Sequence, residues 1–449
     1  MTDPRAPAAT AEEQEDAAKA TITRLEEQLR KIPKVRRFEH GVLRYQLGLA
    51  YQELPVGERS INLSRAVASL EKAAALFDPR TQGTEHGRTQ NALGAALREL
   101  GQREEAVTAF RRAVELLPAT ATPGEHGAAL NNLGLALSDL NRREEAIDAF
   151  EEALAAFSAP GLVRQRLAAL HNLGQALAAD DEPAAVARAV ERFREALDLA
   201  DPDEHPYQWA LINHSMGVAF TAISEPAHAA ESFTQALRVF TRNRFPFQHA
   251  LAKNNLGLAH AQAGDVASLR RAVVAFEDAL QVLDVRTQRE QWEQAYNNLQ
   301  LAERALEERG EAGSRTQHFV RVAAEESGAA LVAVLRDRLA DYTTLPEPRR
   351  TQVLAELDVA VLGLPDDEAA RLTSAWLNIL MELPHEQFAA GLRARIEVHG
   401  LLDAQAEARA RRILDHAVQN ELLAPQRIRV RDTLYEMGYE RPSDDHSDT

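Results

Sequence analysis

Cysteine is absent from the 449-residue sequence, so the chain has no disulfide framework, no thiolate metal site and no cysteine nucleophile. Lysine is scarce, since five of the 51 basic residues are Lys and 46 are Arg. Negative charge dominates, with a formal net charge of −17 at pH 7. Nucleic-acid phosphates and anionic lipid headgroups attract clustered Lys and Arg, so this balance disfavours a nucleic-acid partner and a membrane partner.

Long apolar runs are also missing, because no uninterrupted stretch approaches the ~20 residues that span a bilayer. The first 20 residues are acidic and lack the apolar core of a secretory signal. We expect residues 1–36 to form a disordered or helical lead-in and residues 442–449 to form a disordered tail. These features, with the lack of cysteine, predict a cytoplasmic protein. The abundance of Arg and Ala indicates a GC-rich bacterial genome.

Sequence motifs of common enzyme classes do not occur. There is no G-x-x-x-x-G-K-[ST] phosphate loop, no G-x-G-x-x-G dinucleotide turn, no G-x-S-x-G nucleophile elbow and no H-E-x-x-H zinc motif. Acidic pairs such as Glu104–Glu105 recur between paired helices, and a solvated surface explains them better than acid–base chemistry. We therefore expect no catalytic residues, no cofactor and no bound metal.

A repeated unit fills most of the chain. A glycine recurs inside a helical pattern every 40 to 46 residues, and a second amphipathic segment follows it each time. That second segment carries small, large and small apolar residues at spacings of four and three, as in Ala106–Phe110–Ala113, which places them on one helix face. We call the recurring position the marker. It is occupied by Gly48, Gly94, Gly134, Gly174, Gly217, Gly257 and, in a modified last repeat, Gln300.

The residue types at these positions predict stacked helical hairpins. Glycine inside a helix costs ~1 kcal/mol relative to alanine, so its recurrence requires a packing reason. The marker glycine and the two alanines allow close approach of two helices, and we expect the Phe or Leu between the alanines to fill space between neighbouring repeats. A single hairpin cannot bury its apolar face alone, whereas a stack can.

The unit that begins at Gly87 carries the pattern most fully, with Leu93, Gly94, Ala106, Phe110, Ala113 and Pro118. This pattern resembles the tetratricopeptide repeat (TPR) family. The 40–43-residue period and the "NNLG" motif are similar to the long repeats of kinesin light chains and of bacterial multi-repeat signalling proteins. The resemblance covers roughly residues 37–308, and we expect the solenoid to span residues 37–312 in about six and a half repeats. It implies an all-α fold, a right-handed α-solenoid of helical hairpins, followed by a C-terminal helical region.

Histidines in the "EHG" segments suggest a metal site at first sight. They lie eight residues before the marker, where Trp209 and Trp292 stand in other repeats. A position that accepts either His or Trp is more plausibly a packing position, and equivalent atoms of neighbouring repeats should be ~10 Å apart, too far to share a metal. The histidines in question are His40, His86 and His126 of the "EHG" segments, and His249, which occupies the same position in a repeat without that segment.

Amide side chains form the candidate binding site. The resemblance implies that this part of the first helix faces a concave groove, where such asparagines hold the backbone of a bound peptide. Amides donate and accept hydrogen bonds at once, so they suit an extended backbone. Alternatively, they bond across to adjacent helices and only order the stack. Three residues before the marker stand Asn91, Asn131, His171, His214, Asn254 and Asn297, and two residues before it stand Asn132, Asn172, Asn255 and Asn298.

Beyond the repeats, residues 313–441 read as a separate helical domain. "Leu-Pro" recurs every 19 residues, at Leu345, Leu364 and Leu383, and proline suits the first turn of a helix. Further helices are expected over 404–419 and 425–437. The pattern leaves open whether this region is a small bundle, a continuation of the solenoid or an effector-coupling domain.

The sequence therefore predicts a non-catalytic scaffold or adaptor, which binds a peptide or a helix of a partner protein in the groove. One alternative is a regulator of a bacterial signalling or defence system, switched by a peptide or small molecule. Another is an enzyme accessory subunit that acts through the C-terminal region. A groove within residues 315–449 that brought His, Asp and Arg side chains together would favour the latter. The oligomeric state is not fixed by the sequence.

Overall fold

The computed structural model describes residues 11–54, 57–179, 182–311, 313–338 and 346–437. These residues contain 21 α-helices and no strand. The tail predicted at 442–449 and the first ten residues of the lead-in lie outside the described residues. The chain divides into two compact units, Met1–Glu225 and Pro226–Thr449, here called the N-terminal unit and the C-terminal unit.

The N-terminal unit consists of ten helices in chain order. They are α1 (Ala11–Lys31), α2 (Arg37–Glu53), α3 (Arg59–Ala74), α4 (Gly83–Glu99), α5 (Arg103–Leu116), α6 (Pro123–Asp139), α7 (Arg143–Ala156), α8 (Val163–Ala178), α9 (Pro183–Leu199) and α10 (Pro206–Ala222). From α2 to α9 they pack as four consecutive hairpins, each of which also packs on the next. This is an α-solenoid built from repeats, as predicted. Its handedness stays a prediction.

The two helices of each repeat form two layers. The first helices contact one another in succession, α2 with α4, α4 with α6, α6 with α8, and α8 with α10. The second helices α3, α5, α7 and α9 contact one another less closely. The layer of first helices is therefore the inner, concave side of the N-terminal unit.

The marker glycine gives the second helix room within its own hairpin. A β-carbon at Gly134 would lie 2.5 Å from the ring of Phe150, and one at Gly94 would lie 2.7 Å from the ring of Phe110. The Phe therefore packs against the marker of its own repeat, rather than between neighbouring repeats as expected. A second glycine, seven residues before the marker, leaves space for the end of the second helix. Gly127 is an example, because it packs against the ring of Phe157.

The first helix of a repeat ends in a left-handed residue seven positions after the marker. Gly101 and Gly264 have φ of 80° and 76°, and Asn141 and Ser224 have φ of 61° and 59°. A left-handed residue terminates a helix and redirects the chain, and glycine adopts it without steric cost. In both units, therefore, a residue in the left-handed conformation starts the turn to the second helix.

The C-terminal unit holds the remaining helices. They are α11 (Pro226–Leu237), α12 (Pro246–Ala263), α13 (Val266–Val282), α14 (Arg289–Glu307), α15 (Arg315–Glu325), α16 (Gly328–Arg338), α17 (Glu347–Val361), α18 (Asp366–Met381), α19 (His385–His399), α20 (Ala404–His416) and α21 (Ala424–Glu436). A π-helical turn, Ala417–Glu421, follows α20. The helix expected over 329–342 is described to Arg338, and the rest of that range lies outside the described residues.

The last repeat lacks a second helix packed in the usual way. Helix α15 packs mainly on α13, and the marker side chain Gln300 is exposed and donates to Glu303. No aromatic ring needs the space that a glycine leaves here, so a polar residue at this position is tolerated.

Helices α15–α21 share one apolar core that includes Phe319, Trp376 and Phe388. In this region a helix packs chiefly on the one two places along the chain, as α15 on α17, α17 on α19 and α18 on α20. The 19-residue period appears in the helix starts, because Pro346, Pro365 and Pro384 immediately precede α17, α18 and α19. These helices are 15 or 16 residues long, about four turns.

Candidate peptide-binding groove

Side-chain amides connect the first helices of successive repeats. Asn132 Nδ2 on α6 donates to Asn91 Oδ1 on α4 at 3.0 Å, and Asn172 Nδ2 on α8 donates to Asn131 Oδ1 on α6 at 2.9 Å. In each pair, the residue three places before one marker accepts from the residue two places before the next. We call this series of bonds the amide ladder.

The ladder recurs in the C-terminal unit and changes chemistry at the C-terminal end of the N-terminal unit. Asn298 Nδ2 on α14 donates to Asn254 Oδ1 on α12 at 3.1 Å. His171 Nε2 on α8 lies 2.8 Å from Ser215 Oγ on α10 and takes the place of an amide pair. Of the predicted residues, Asn297 is exposed, whereas His214 and Asn255 are partly buried. The structure thus joins six of the predicted residues in three amide pairs, and His171 bonds instead to Ser215; the six are Asn91, Asn131, Asn132, Asn172, Asn254 and Asn298.

The ladder uses only part of the hydrogen-bonding capacity of its amides. Asn91 and Asn131 accept through Oδ1, and no described residue accepts a bond from their Nδ2 groups. Asn132 and Asn172 each donate one of two N–H groups. All four side chains are half-buried on the concave layer. The bonds that order the stack therefore leave N–H donors available at this surface.

Two histidines near the C-terminal end of the N-terminal unit are held neutral. Burial and, to a smaller extent, the nearby His214 lower the pKa of His171 to about 4. Burial likewise lowers the pKa of His214 to about 4. At neutral pH, both positions therefore present uncharged imidazoles beside the amide ladder.

The rest of the concave strip carries little net charge. One residue after the marker stand Leu135, Gln175 and Val218, and Val218 is 45% exposed. Charges at the preceding repeats are paired across helices. Arg88 donates two bonds to Glu125 at 2.9 and 2.7 Å, and Arg98 donates to both carboxylate oxygens of Asp139, the shorter bond being 2.6 Å. These are the planar, two-bond contacts that a guanidinium makes with a carboxylate.

Three of the four histidines that lie eight residues before the marker connect helix ends. His126 Nδ1 donates to the carbonyl of Leu117, and His249 Nδ1 donates to the carbonyl of Phe240, both at 2.8 Å. His40 Nε2 lies 3.0 Å from the carbonyl of Ile32. The last carbonyls of a helix lack partners within it, so these imidazoles satisfy the end of the preceding helix. Within the part of the chain that is described, no three His, Asp or Glu side chains are grouped to hold a metal ion.

A buried charged cluster in the C-terminal unit was not foreseen from the sequence. Arg395 Nη2 on α19 lies 3.0 Å from Asp358 Oδ1 on α17 and donates to Thr373 Oγ1 at 3.0 Å. His399 Nε2 lies 3.7 Å from Asp358 Oδ2, and the Arg395 guanidinium lies 4.9 Å from the ring centre of Trp376. Asp358 and Arg395 are 37 residues apart in no recognisable motif, so only the packing of α17 on α19 reveals the pair.

This cluster lies in a closed core rather than in a groove. The adjacent cavity has a volume of about 20 Å³. Ligand sites are typically ~300–1,000 Å³, whereas a water molecule needs roughly 10–15 Å³ by this measure. His, Asp and Arg therefore converge in the C-terminal region without room for a substrate, and the cluster gives no support to an enzyme accessory role.

Comparisons with known proteins agree with the repeat pattern. A family model described as tetratricopeptide repeat matches residues 87–117 and 127–156. None of the curated proteins matches the sequence. None of the described helices combines the length and the apolar character needed to cross a membrane.

Three solved structures illustrate the similarity. TPR-like repeats ascribed to a kinesin light chain of Podosopora anserina are 22% identical, with 46% of this chain and 98% of that one covered and a TM-score of 0.37. PilF of Pseudomonas aeruginosa is 20% identical, with 65% and 99% covered and a TM-score of 0.36. BtubC of P. vanneervenii is 16% identical, with 57% and 92% covered and a TM-score of 0.38.

The two matched segments coincide with the α4/α5 and α6/α7 hairpins, whose marker glycines, small residues and amide ladder recur in the other repeats. Residues 87–117 and 127–156 are tetratricopeptide repeats.

Proposed function

We propose that this chain is a non-catalytic interaction scaffold whose concave face binds a peptide segment of a partner protein. The tetratricopeptide repeat fold supports a protein-interaction role in general. The observation that carries the more specific proposal is the row of half-buried amides with N–H donors that the ladder leaves over. A peptide backbone offers one carbonyl acceptor per residue, so these N–H groups can donate hydrogen bonds to a bound peptide whatever its side chains.

A preformed surface has an energetic advantage for this role. The concave strip lies on helices whose packing the marker glycines and the amide ladder already fix. Binding to such a surface costs little ordering entropy in the scaffold, so more of the contact energy remains as affinity. In this proposal the protein acts in the bacterial cytoplasm without a cofactor. Residues 313–441 form a separate helical domain that caps the array or engages a second partner.

Photo-crosslinking in the native host tests the groove directly. A photoreactive phenylalanine analogue replaces Val218 on the concave strip or Ile61 on the second helix α3. The two side chains are matched, being 45% and 46% exposed. We expect discrete adducts from position 218 that are absent from position 61. Equal adduct patterns at both positions, or none at position 218, would contradict groove binding.

A further inference from the structure

The spacing of the amide ladder restricts the conformation of a bound peptide. Successive first helices of the N-terminal unit are direct neighbours, and packed helices lie roughly 8–10 Å apart. Asn91 on α4 and Asn131 on α6 therefore present equivalent free N–H groups at intervals of about 9 Å. A peptide that uses both must present equivalent carbonyls at the same interval.

Among regular peptide conformations, one meets this requirement. A polyproline II segment rises about 3.1 Å per residue with three residues per turn, so every third residue faces the same side about 9.3 Å further on. An extended strand covers a similar length in three residues, but its side chains alternate, so every third residue faces the opposite way. An α-helix repeats its face after seven residues, or about 10.5 Å, yet its carbonyls are bonded internally. Polyproline II carbonyls have no internal partner, so they remain open to the amides.

The side chains beside the ladder restrict the chemistry of the peptide. Leu135, Gln175 and Val218 are uncharged and lie on successive first helices, one residue after the marker. The charged pairs at the preceding repeats, such as Arg88 with Glu125, are already bonded to each other. A charged side chain of a ligand would lose hydration there without gaining a partner, whereas an apolar side chain would bury area favourably.

We propose that the concave strip of the N-terminal unit binds a peptide in the polyproline II conformation with an uncharged, apolar residue at every third position. This inference rests on the proposed function and names the class of its ligand. The partner is recognised through backbone carbonyls spaced by three residues and through an apolar face of the same period. It needs neither a terminal carboxylate nor a cluster of charges.

Two peptides of identical composition test the spacing, and a third tests the preference for uncharged side chains. The probes are fluorescein-labelled and amidated: (Leu-Pro-Pro)₄, the rearranged (Leu-Leu-Pro-Pro-Pro-Pro)₂ and the charged (Glu-Pro-Pro)₄. Fluorescence anisotropy with the full-length protein should give a Kd for (Leu-Pro-Pro)₄ that is roughly tenfold lower than for either other peptide. Because the interaction is uncharged, raising the salt from about 50 mM to about 500 mM should change that Kd less than about twofold.

Two matched variants locate the site. Val218→Glu places a charge on the concave strip and should weaken binding of (Leu-Pro-Pro)₄ by roughly tenfold or more. Ile61→Glu makes the same kind of change at an equally exposed position of α3 and should leave the Kd unchanged. Circular dichroism of both variants verifies that they remain folded.

The outcomes separate the inference from the proposed function. If the rearranged or charged peptide binds as tightly as (Leu-Pro-Pro)₄ and Val218→Glu abolishes that binding, the groove binds peptides but the polyproline II inference is wrong. If (Leu-Pro-Pro)₄ binds and both variants weaken it equally, or if none of the probes binds, the inference is overturned. The crosslinking experiment then decides the proposed function independently.

Discussion

The ring of Phe150 lies where a β-carbon on Gly134 would have to be, and this single contact accounts for a glycine inside a helix. The same relation holds at Gly94 with Phe110. Each ring is at most 1% exposed, so it has little room to move away. The marker is therefore a packing requirement of the hairpin and not a flexible joint.

Gly134→Ala should destabilise the protein despite the better helix propensity of alanine. The new methyl group would lie 2.5 Å from the Phe150 ring, and such overpacking typically costs ~1–3 kcal/mol, against a gain of about 1 kcal/mol from propensity. Urea unfolding followed by circular dichroism measures the difference. The control is Gly83→Ala, where the nearest atom to the new β-carbon is the Leu116 carbonyl oxygen at 3.7 Å, and no loss is expected. A stabilised Gly134→Ala protein would contradict this account.

His171 makes the stability depend on pH. Its folded-state pKa is lowered to about 4 by burial and then by His214, whereas in the unfolded chain the value is near 6.5. Between these values the unfolded state binds a proton that the folded state does not, so stability falls as the pH drops from 6.5 to 4. His171→Asn restores the amide found at Asn91 and Asn131, and should reduce this acid sensitivity by an amount on the order of 2–3 kcal/mol. Denaturant unfolding at several pH values measures it, and parallel pH profiles would refute the assignment.

The amide ladder is the element that joins one repeat to the next. Each of its bonds spans 41 or 44 residues of sequence but connects adjacent helices. A neutral hydrogen bond of this kind contributes ~1 kcal/mol, so repetition along the stack matters more than any single pair. The ladder gives the recurrent "NNLG" motif a structural role in addition to the proposed binding role.

A double-mutant cycle on Asn91 and Asn132 should detect the bond. Asn91→Ala and Asn132→Ala each remove it, so the double variant should be less destabilised than the sum of the two single variants, by about 0.5–1.5 kcal/mol. The matched control combines Asn91→Ala with Asn172→Ala. Asn172 bonds to Asn131 and not to Asn91, so no coupling is expected in this cycle. Coupling near zero in the first cycle, or equal coupling in both, would argue against the ladder as a connection between repeats.

The buried pair on α17 and α19 is a different kind of element. Asp358 and Arg395 have side chains 8% and 4% exposed, and burial raises the pKa of Asp358 to about 6 while Arg395 opposes the rise. Removing one charge leaves the other buried without its partner, which costs about 3–5 kcal/mol, whereas apolar replacement of both is often neutral. Asp358→Leu alone should therefore lower the midpoint of thermal unfolding clearly, and Asp358→Leu/Arg395→Met should restore most of it. A double variant as unstable as the single one would contradict this reasoning.

The sequence correctly predicted the helices that depend on local residue patterns. The marker spacing and the amphipathic second segments predicted the hairpins, and the "Leu-Pro" period predicted α17, α18 and α19 close to their observed starts. It placed Phe150 between repeats rather than against Gly134, because periodicity gives the face of a helix but not the neighbour that the face meets. It could not choose between the two roles of the amides, and it missed Asp358 with Arg395, because both depend on contacts between distant positions.

At the scale of the whole molecule, contacts in the repeats are almost entirely between neighbours. Helix α6 packs on α7, α5, α4 and α8. A solenoid of this kind has a stability that is approximately the sum of terms for each repeat and each interface. Its parts therefore unfold in stages more readily than those of a globular domain with one core, and a single free energy of unfolding describes it poorly.

Hydrogen exchange of Gly134→Ala should make this locality visible. The substitution weakens α6, so amides of α6 and of the helices that touch it, α4, α5, α7 and α8, should exchange faster by about tenfold, which corresponds to ~1.4 kcal/mol. Helix α2 is not among the helices that pack on α6, so its amides should keep their rates, as should those of α17–α19 in the C-terminal unit. Mass spectrometry of the peptic peptides resolves these segments. Equal acceleration in every segment would mean that the chain unfolds as one cooperative body, and the nearest-neighbour description would have to be abandoned.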